Sequence, residues 1–560
     1  MAEYLSPGVY VEEYDNSPRA MEGVGTSTAG FVGLAEKGAS KGAPVLITSV
    51  AEFGRKYGGY LSEYTFGDYR YLAGAVEQFF LNGGTRCYVA RVLPSDAAAA
   101  EGSLGNLHLR AANEGSWGNH VEVTVSPVEQ KKMQLLEKIG ERRYRAKSTA
   151  GFEAGSIVKA GETYNKIESL FDKEVMFEEE FKEDMTDDSL IPEKVVYLAE
   201  MEIRVRCQGE TEIYSEVNMN GNSGSYVGNV LSVSEIVVAE ITPGEGIMSP
   251  AELLCGAPEG SIVLSGGCDG TKEQITAETF IGIDNGAGQR TGIQAFLENT
   301  DTSILAVPGI TIPEVIVSLV SHCENTRSRF AVIDMPKDYS GKEELLTYRG
   351  LVDSTYAAMY HPWIQCFDRS GKKASYFPPS GAVMGVYART DNNRGVHKAP
   401  ANETVNCTGL NIHFTKREQD IFNPAGVNLI RSIPGQGIRI WGARTASSNA
   451  SFKYVNIRRL FIYVEESIKA NTSWVVFEPN DSTLWSRVQI SITSFLETAW
   501  RNGMFAGDTA ETSFFVEIGT STMTQDDIQN GRLICNIGIA PSRPAEFVIF
   551  RVTQHTAAQG

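Results

Sequence analysis

The chain has 560 residues, 42% of them hydrophobic and 21% charged, which is the composition of a soluble globular protein with about three or four domains' worth of core. Its formal net charge of -19 repels phosphate backbones, so nucleic acid is not expected as a main partner; the charge favours solubility at high concentration. "MAEYLSPGVYVEEYD" lacks the basic start and apolar run of a signal peptide, and runs such as "ITIPEVIVSLV" are interrupted well short of a membrane span. The expectation is a soluble chain made in the cytoplasm that does not insert directly into a membrane.

The first 25 residues read as an extended arm bounded by Pro7 and Pro18, in which "YVEEY" can form a short strand. "TAGFVGLA" reads as a buried strand. "SVAEFGRKYGG" reads as a helix capped by Thr48 or Ser49 and stopped by Gly58. "DYRYLAGAVEQFFLNGG" puts Leu72, Val76, Phe79 and Phe80 on one helical stripe and feeds the strand "TRCYVARVL". These elements make up an N-terminal part over residues 26–95.

Residues 96–260 read as a mostly β insertion. Strands such as "HVEVTVSPV" and "SEIVVAEITP" flank the charged "EQKKMQLLEKIGERRYRAK" and an acidic run from Glu168 to Asp188, both expected on a solvated outer face. Residues 261–400 then read as an α/β domain. Strand "SILAVPG", helix "PEVIVSLVSHCENTR", strand "RFAVIDMP", helix "KEELLTYRGLVDSTYAAMY" and strand "WIQCFD" alternate as a parallel layer requires. Residues 401–540 form a C-terminal domain with two amphipathic helices, "VNIRRLFIYVEESIKAN" and "STLWSRVQISITSFLETAWRNG".

A C-terminal arm over 541–560 closes the chain. After the stiff "IAPSRP", Ala545 to Gln554 reads as a strand with Phe547 and Ile549 on one face and Val548, Phe550 and Val552 on the other. Both faces need cover, and no later element is available to supply it. An unpaired strand is a liability inside one chain and a connector between chains.

Sites for chemistry are missing from the pattern. No G-x-G-x-x-G follows a strand, "NGAGQRTG" is one residue out of frame, and there is no Walker A loop, G-x-S-x-G or HExxH. His322 and Cys323 are adjacent and point about 100° apart on a helix, so they form no local nucleophile–base pair. Asp334, at a strand end, reads as a loop cap. The eight cysteines include no CxxC and read as buried free thiols. No enzyme, metal or cofactor is expected.

Several segments resemble the sheath protein of contractile phage tails and related particles: "YLSPGVYVEE", "FFLNGGTRCYVARV", "GSWGNHVEV" and "LSGGCDGT". The resemblance is more specific in "PPSGAVMGVYARTDNNRGVHKAPAN", "FNPAGVNLIRSIPGQGIRIWGARTAS", "YVNIRRLFIYVEESIKANTSWVVFEPND", "LWSRVQISITSFLETAWRNGMFAG" and "IGIAPSRPAEFVIFRVTQ". It covers roughly 1–120 and 260–555 and leaves the insertion unmatched.

The resemblance implies an α+β and α/β multidomain subunit with a sheath-type core and extended arms. Such subunits stack as six-fold rings into a helical sleeve around an inner tube, with baseplate and tail terminator proteins as further partners. The sleeve contracts to drive the tube through a cell envelope, as part of a virion tail or a phage-tail-like particle. Strand donation between subunits is implied for Val9, Tyr10, Val11 and Glu12 and for Phe547, Val548, Ile549, Phe550 and Val552. Hinges are expected at Pro18, Gly23, Gly25, Pro541 and Pro544. The helix bearing Arg487, Gln489 and Glu497 off its apolar stripe is expected to face the tube. The alternative reading is a surface protein that binds a glycan or receptor through the β insertion.

Overall fold

A computed structural model describes residues 21–161, 163–182, 185–186, 195–242 and 260–547. Its centre is a nine-stranded sheet in the order 45–47, 87–92, 29–34, 304–306, 330–334, 357–361, 427–433, 437–440, 403–404. The six strands from Cys87–Val92 to Val427–Ile433 run parallel, and antiparallel strands finish both sides. One sheet thus gathers strands from the N-terminal part, the α/β part and the start of the C-terminal part.

The parallel strands are apolar at nearly every position because both faces are covered. Phe31, Ile304, Val332 and Tyr360 point to one core; Val32, Leu305, Ile333 and Met359 alternate to the other. Helix α1 (Leu72–Leu81) lies on the first side, and α2 (Pro313–Thr326) contributes to the core on the second. Helix α3 (Ser380–Arg394) crosses α1 at close range and is buried at most of its positions.

Two predicted elements are corrected. The segment read as one helix from Lys342 ends at Arg349, and its last part, Ala357–His361, is the next parallel strand. Ala and Met favour helices weakly, but each residue of this strand is buried on one or the other sheet face, and packing overrides propensity. "WIQCFD" is not that strand. Ile364–Asp368 instead pairs antiparallel with Lys373–Phe377 and Gly409–Leu410 in a separate small sheet.

The insertion has a near part and a far part. Near the central sheet, a three-stranded and a four-stranded antiparallel sheet enclose Trp117, Val123, Met201 and Val237. Beyond them lies a seven-strand set in the order 132–133, 196–198, 157–160, 163–171, 174–177, 143–146, 135–138. Its first and last members are separated in sequence by Gln134 only, so the sheet curls back on itself through one bent strand. Met133, Tyr144, Val158, Phe177 and Leu198 fill its interior.

The C-terminal part is built on α4 (Val455–Asn471) and α5 (Ser482–Arg501). Their stripes meet through Leu460, Val464, Leu484, Val488, Phe495 and Leu496. A two-stranded antiparallel sheet, Phe514–Ile518 with Cys535–Ile539, packs on α5.

Candidate functional site

The residues that most suggest chemistry do structural work. Asp334 accepts hydrogen bonds from Ser380 N (2.7 Å), Ser380 Oγ (2.6 Å) and Gly309 N (3.0 Å), and so holds the start of α3 against a loop. Burial outweighs these donors and raises its pKa to about 6. His322 is buried beside Arg329, and both burial and that cation depress its pKa to about 4. Burial pushes the Cys323 thiol up to about 12, far from a nucleophile's range. In "NGAGQRTG", Arg290 is taken up by Asp284 and Glu298, so the glycine turn is closed by its own ion pairs. Among the described residues no cluster of His, Cys, Asp or Glu has metal-ligand geometry, and no helix is long and apolar enough to cross a membrane.

The two-stranded sheet is different in kind. Phe514, Val516 and Ile518 face α5 and its surroundings, while Phe515 is 53% exposed on the other face. Among the described residues, no third strand pairs with either outer edge. A two-stranded ribbon with no third strand on either side is marginal by itself, and its outer edges are places where a further strand can add.

The roots of both arms are tightly held. At the N-terminal root, Glu22 exchanges hydrogen bonds with the Asn471 side chain, Val24 N donates to Ser467 Oγ (3.1 Å), and Arg459 donates to the Thr26 carbonyl (2.8 Å). Arg459 and Thr26 also share the buried Asp391 carboxylate. At the C-terminal root, Glu546 accepts from Arg444 Nε (2.9 Å) and a terminal guanidinium nitrogen (2.8 Å), from Asn423 (2.6 Å) and from Tyr454 Oη (2.8 Å). Lys453 stands 3.7 Å away. Burial by itself would raise the Glu546 pKa; the bonds from Arg444, Asn423 and Tyr454 outweigh it and hold the carboxyl at about 2.

Residues 284–446 match the phage tail sheath protein central domain, and residues 447–555 match the phage tail sheath C-terminal domain. From residue 284 to residue 555, just under half of its length, the chain is similar to the phage tail sheath family throughout. It is 25% identical over 321 residues to the putative prophage major tail sheath protein of Pseudomonas aeruginosa (strain UCBPP-PA14), a match spanning 55% of this chain and 81% of the relative. To the tail sheath protein of Escherichia phage P2 it is 26% identical over 295 residues, 50% of this chain and 72% of the other. Among solved structures, the contracted sheath of the extracellular contractile injection system PVC superposes with a TM-score of 0.54 at 20% identity, covering 99% of both chains. The sheath tail protein from Listeria innocua does so with a TM-score of 0.53 at 12% identity, covering 93% of this chain and 96% of its own. These two likenesses are of fold.

Of the residues expected to donate strands, Val9, Tyr10, Val11, Glu12, Val548, Ile549, Phe550 and Val552 lie outside the described residues, as does the expected hinge Pro18. Phe547 is 73% exposed. Gly23 and Gly25 fall within the fastened N-terminal root. A β-carbon on Gly23 would sit 2.0 Å from Tyr463 Oη, so this glycine serves close approach. Pro541 and Pro544 lie in a spacer tied on both sides: Ser542 Oγ donates to the Gly503 carbonyl before it ends, and Glu546 is clamped just after.

On α5, Arg487 lies over the Trp474 ring (4.8 Å to its centre), Gln489 donates to the Val516 carbonyl (3.1 Å), and Glu497 pairs with Arg501. The clamp residues Arg444 and Glu546 are not among the residues singled out by sequence. A signal existed: continued back from Val548, the strand alternation puts a charge at Glu546 where an apolar residue belongs.

Proposed function

We propose that this chain polymerises into a helical sleeve of six-fold rings around an inner tube, and that contraction of the sleeve drives the tube through a cell envelope. The observation that carries this reading is the two-stranded sheet, held on a rigid helical pair with no third strand on either edge among the described residues. Each subunit offers two edges and has two arms. If every edge takes one arm strand, residues 9–12 at one end and 547–552 at the other, each copy gives two strands and receives two. Such head-to-tail contacts do not close on themselves and so generate a helix. Two packings of one rigid subunit, joined by strands that stay paired, allow rings to rotate and compact without the mesh coming apart.

In this arrangement the β insertion faces outward and α5 faces the tube, with Arg487 and Glu497 presented beyond its apolar stripe. Baseplate and terminator proteins bind the two ends of the sleeve. The setting is a phage tail or a phage-tail-like particle. Negative-stain micrographs of the concentrated protein test the reading: long tubes are expected, and a small oligomer at every concentration would overturn it. For the tube-facing helix, Arg487→Glu combined with Glu497→Arg should abolish co-assembly with the tube protein while empty sleeves still form.

A further inference from the structure

The contacts at the two arm roots converge on one element. Arg459, Tyr463, Ser467 and Asn471 recur every fourth residue on α4, the spacing that aligns side chains along one ridge of a helix. The N-terminal root lies along this ridge, with Glu22 at Asn471, Val24 at Ser467 and Thr26 at Arg459. Traced towards the N-terminus of the chain, the root therefore runs to the C-terminal end of α4. The C-terminal root is held at the other end. Tyr454, the residue capping the start of α4, donates to Glu546, and Lys453 is beside it. Arg444 forms a backbone bridge with Tyr454, and its own backbone is fixed by the buried Asn428 side chain, which belongs to the central sheet.

We propose that α4 is the strut that positions both arms: Asn471 and Ser467 fix where the N-terminal arm leaves the subunit, and Glu546, through Arg444, Asn423 and Tyr454, fixes where the C-terminal arm leaves. The two departure points are then set at opposite ends of a 17-residue helix, about 25 Å apart at the ordinary rise per residue. Tension arriving through a donated C-terminal strand enters the central sheet at Arg444 and Asn428 and does not stretch the Pro541–Pro544 spacer, which lies upstream of the clamp. The proposal rests on the strand-donation reading. Glu546, Asn471 and Ser467 are positioning residues for assembly.

The test uses the full-length chain in three variants: Glu546→Ala, Glu546→Gln, and Ser467→Ala with Asn471→Ala. Sheath yield is measured by sedimentation, lattice order by the layer lines of negatively stained tubes, and stability by the melting temperature of the unassembled protein. A chain ending at Glu546 is the control for strand donation. Glu546→Ala and the double variant are expected to lower the yield of ordered tubes by about tenfold or more, the scale of one lost charge-assisted contact, with each variant still folded at the temperature of assembly. Glu546→Gln, which keeps an acceptor for Asn423 and Tyr454, should recover part of the yield.

If the truncated control fails to assemble but both anchor variants give wild-type tubes, the strut is wrong and strand donation stands. If the truncated control itself assembles, strand donation fails and takes the strut with it. A variant that melts early and regains full assembly on cooling marks an ordinary fold contact, which also overturns the proposal.

Discussion

Gly381 and Gly385 have no space for a side chain. A β-carbon on Gly381 would lie 2.3 Å from the Ala75 carbonyl oxygen, and one on Gly385 would lie 2.4 Å from that of Phe79. These are backbone atoms of α1 and cannot swing aside, so Gly381→Ala must push α1 and α3 apart. The expected cost is about 1–3 kcal/mol, measured by urea unfolding of the unassembled protein. Stability should also depend on pH through two buried imidazoles. Burial, with the Arg329 charge in the case of His322, holds His322 and His361 to about 4, against 6.5 when unfolded. Between those values the unfolded chain binds more protons, so stability is lost as the pH falls from 6.5 towards 4. Asp334, raised to about 6, works in the opposite direction over much of that range, but it is one group against two. The melting temperature should therefore drop between pH 7 and pH 4.5. His361→Gln, which keeps an N–H for the Tyr339 carbonyl, should make that drop smaller.

The far barrel of the insertion is joined to the near sheets in a way that permits its removal. The chain enters it after Val128 and leaves it before Glu200, and these two residues are direct antiparallel partners. Replacing 129–199 by Asn-Gly would close the same pair as a tight hairpin. Glu200 should become Thr in the same chain, because its buried carboxylate loses Lys131. The shortened chain should fold and still form tubes; soluble protein that no longer polymerises would show the barrel to be part of the lattice. The sequence marked this stretch only as part of a mostly β insertion with charged and acidic runs; the strands at 135–138, 143–146 and 174–177 lie inside those runs, and the closure through Gln134 was not legible, since alternation names a strand's faces and not its partners. The parallel layer was legible at 304–306 and 330–334, where apolar runs sit between turn signals. The strand Ala357–His361 was missed because its composition suits a helix. Helix α3 was missed because burial on most sides erases the polar stripe that makes a helix readable.

At the scale of the whole molecule, the question is whether the arm belongs to its own fold or to a neighbour's, and the clamp at Glu546 decides where to cut. Ending the chain at Glu546 keeps the spacer and the contacts with Arg444, Asn423 and Tyr454, and removes only residues 547–560. Phe547, the first residue removed, is already 73% exposed, so its loss opens no core. If Phe547, Val548, Ile549 and Phe550 are buried in a neighbouring subunit, each contributes about 1.5–3 kcal/mol to that contact. The entropy of ordering the arm reduces the sum, but the loss recurs at every subunit of the lattice. The truncated protein should therefore melt close to wild type and sediment only as monomer. A strand that completed its own domain would behave otherwise: the same cut would strip a sheet edge, and the protein would melt early or aggregate. Near-native melting without polymerisation supports donation, and a collapsed melt sinks it.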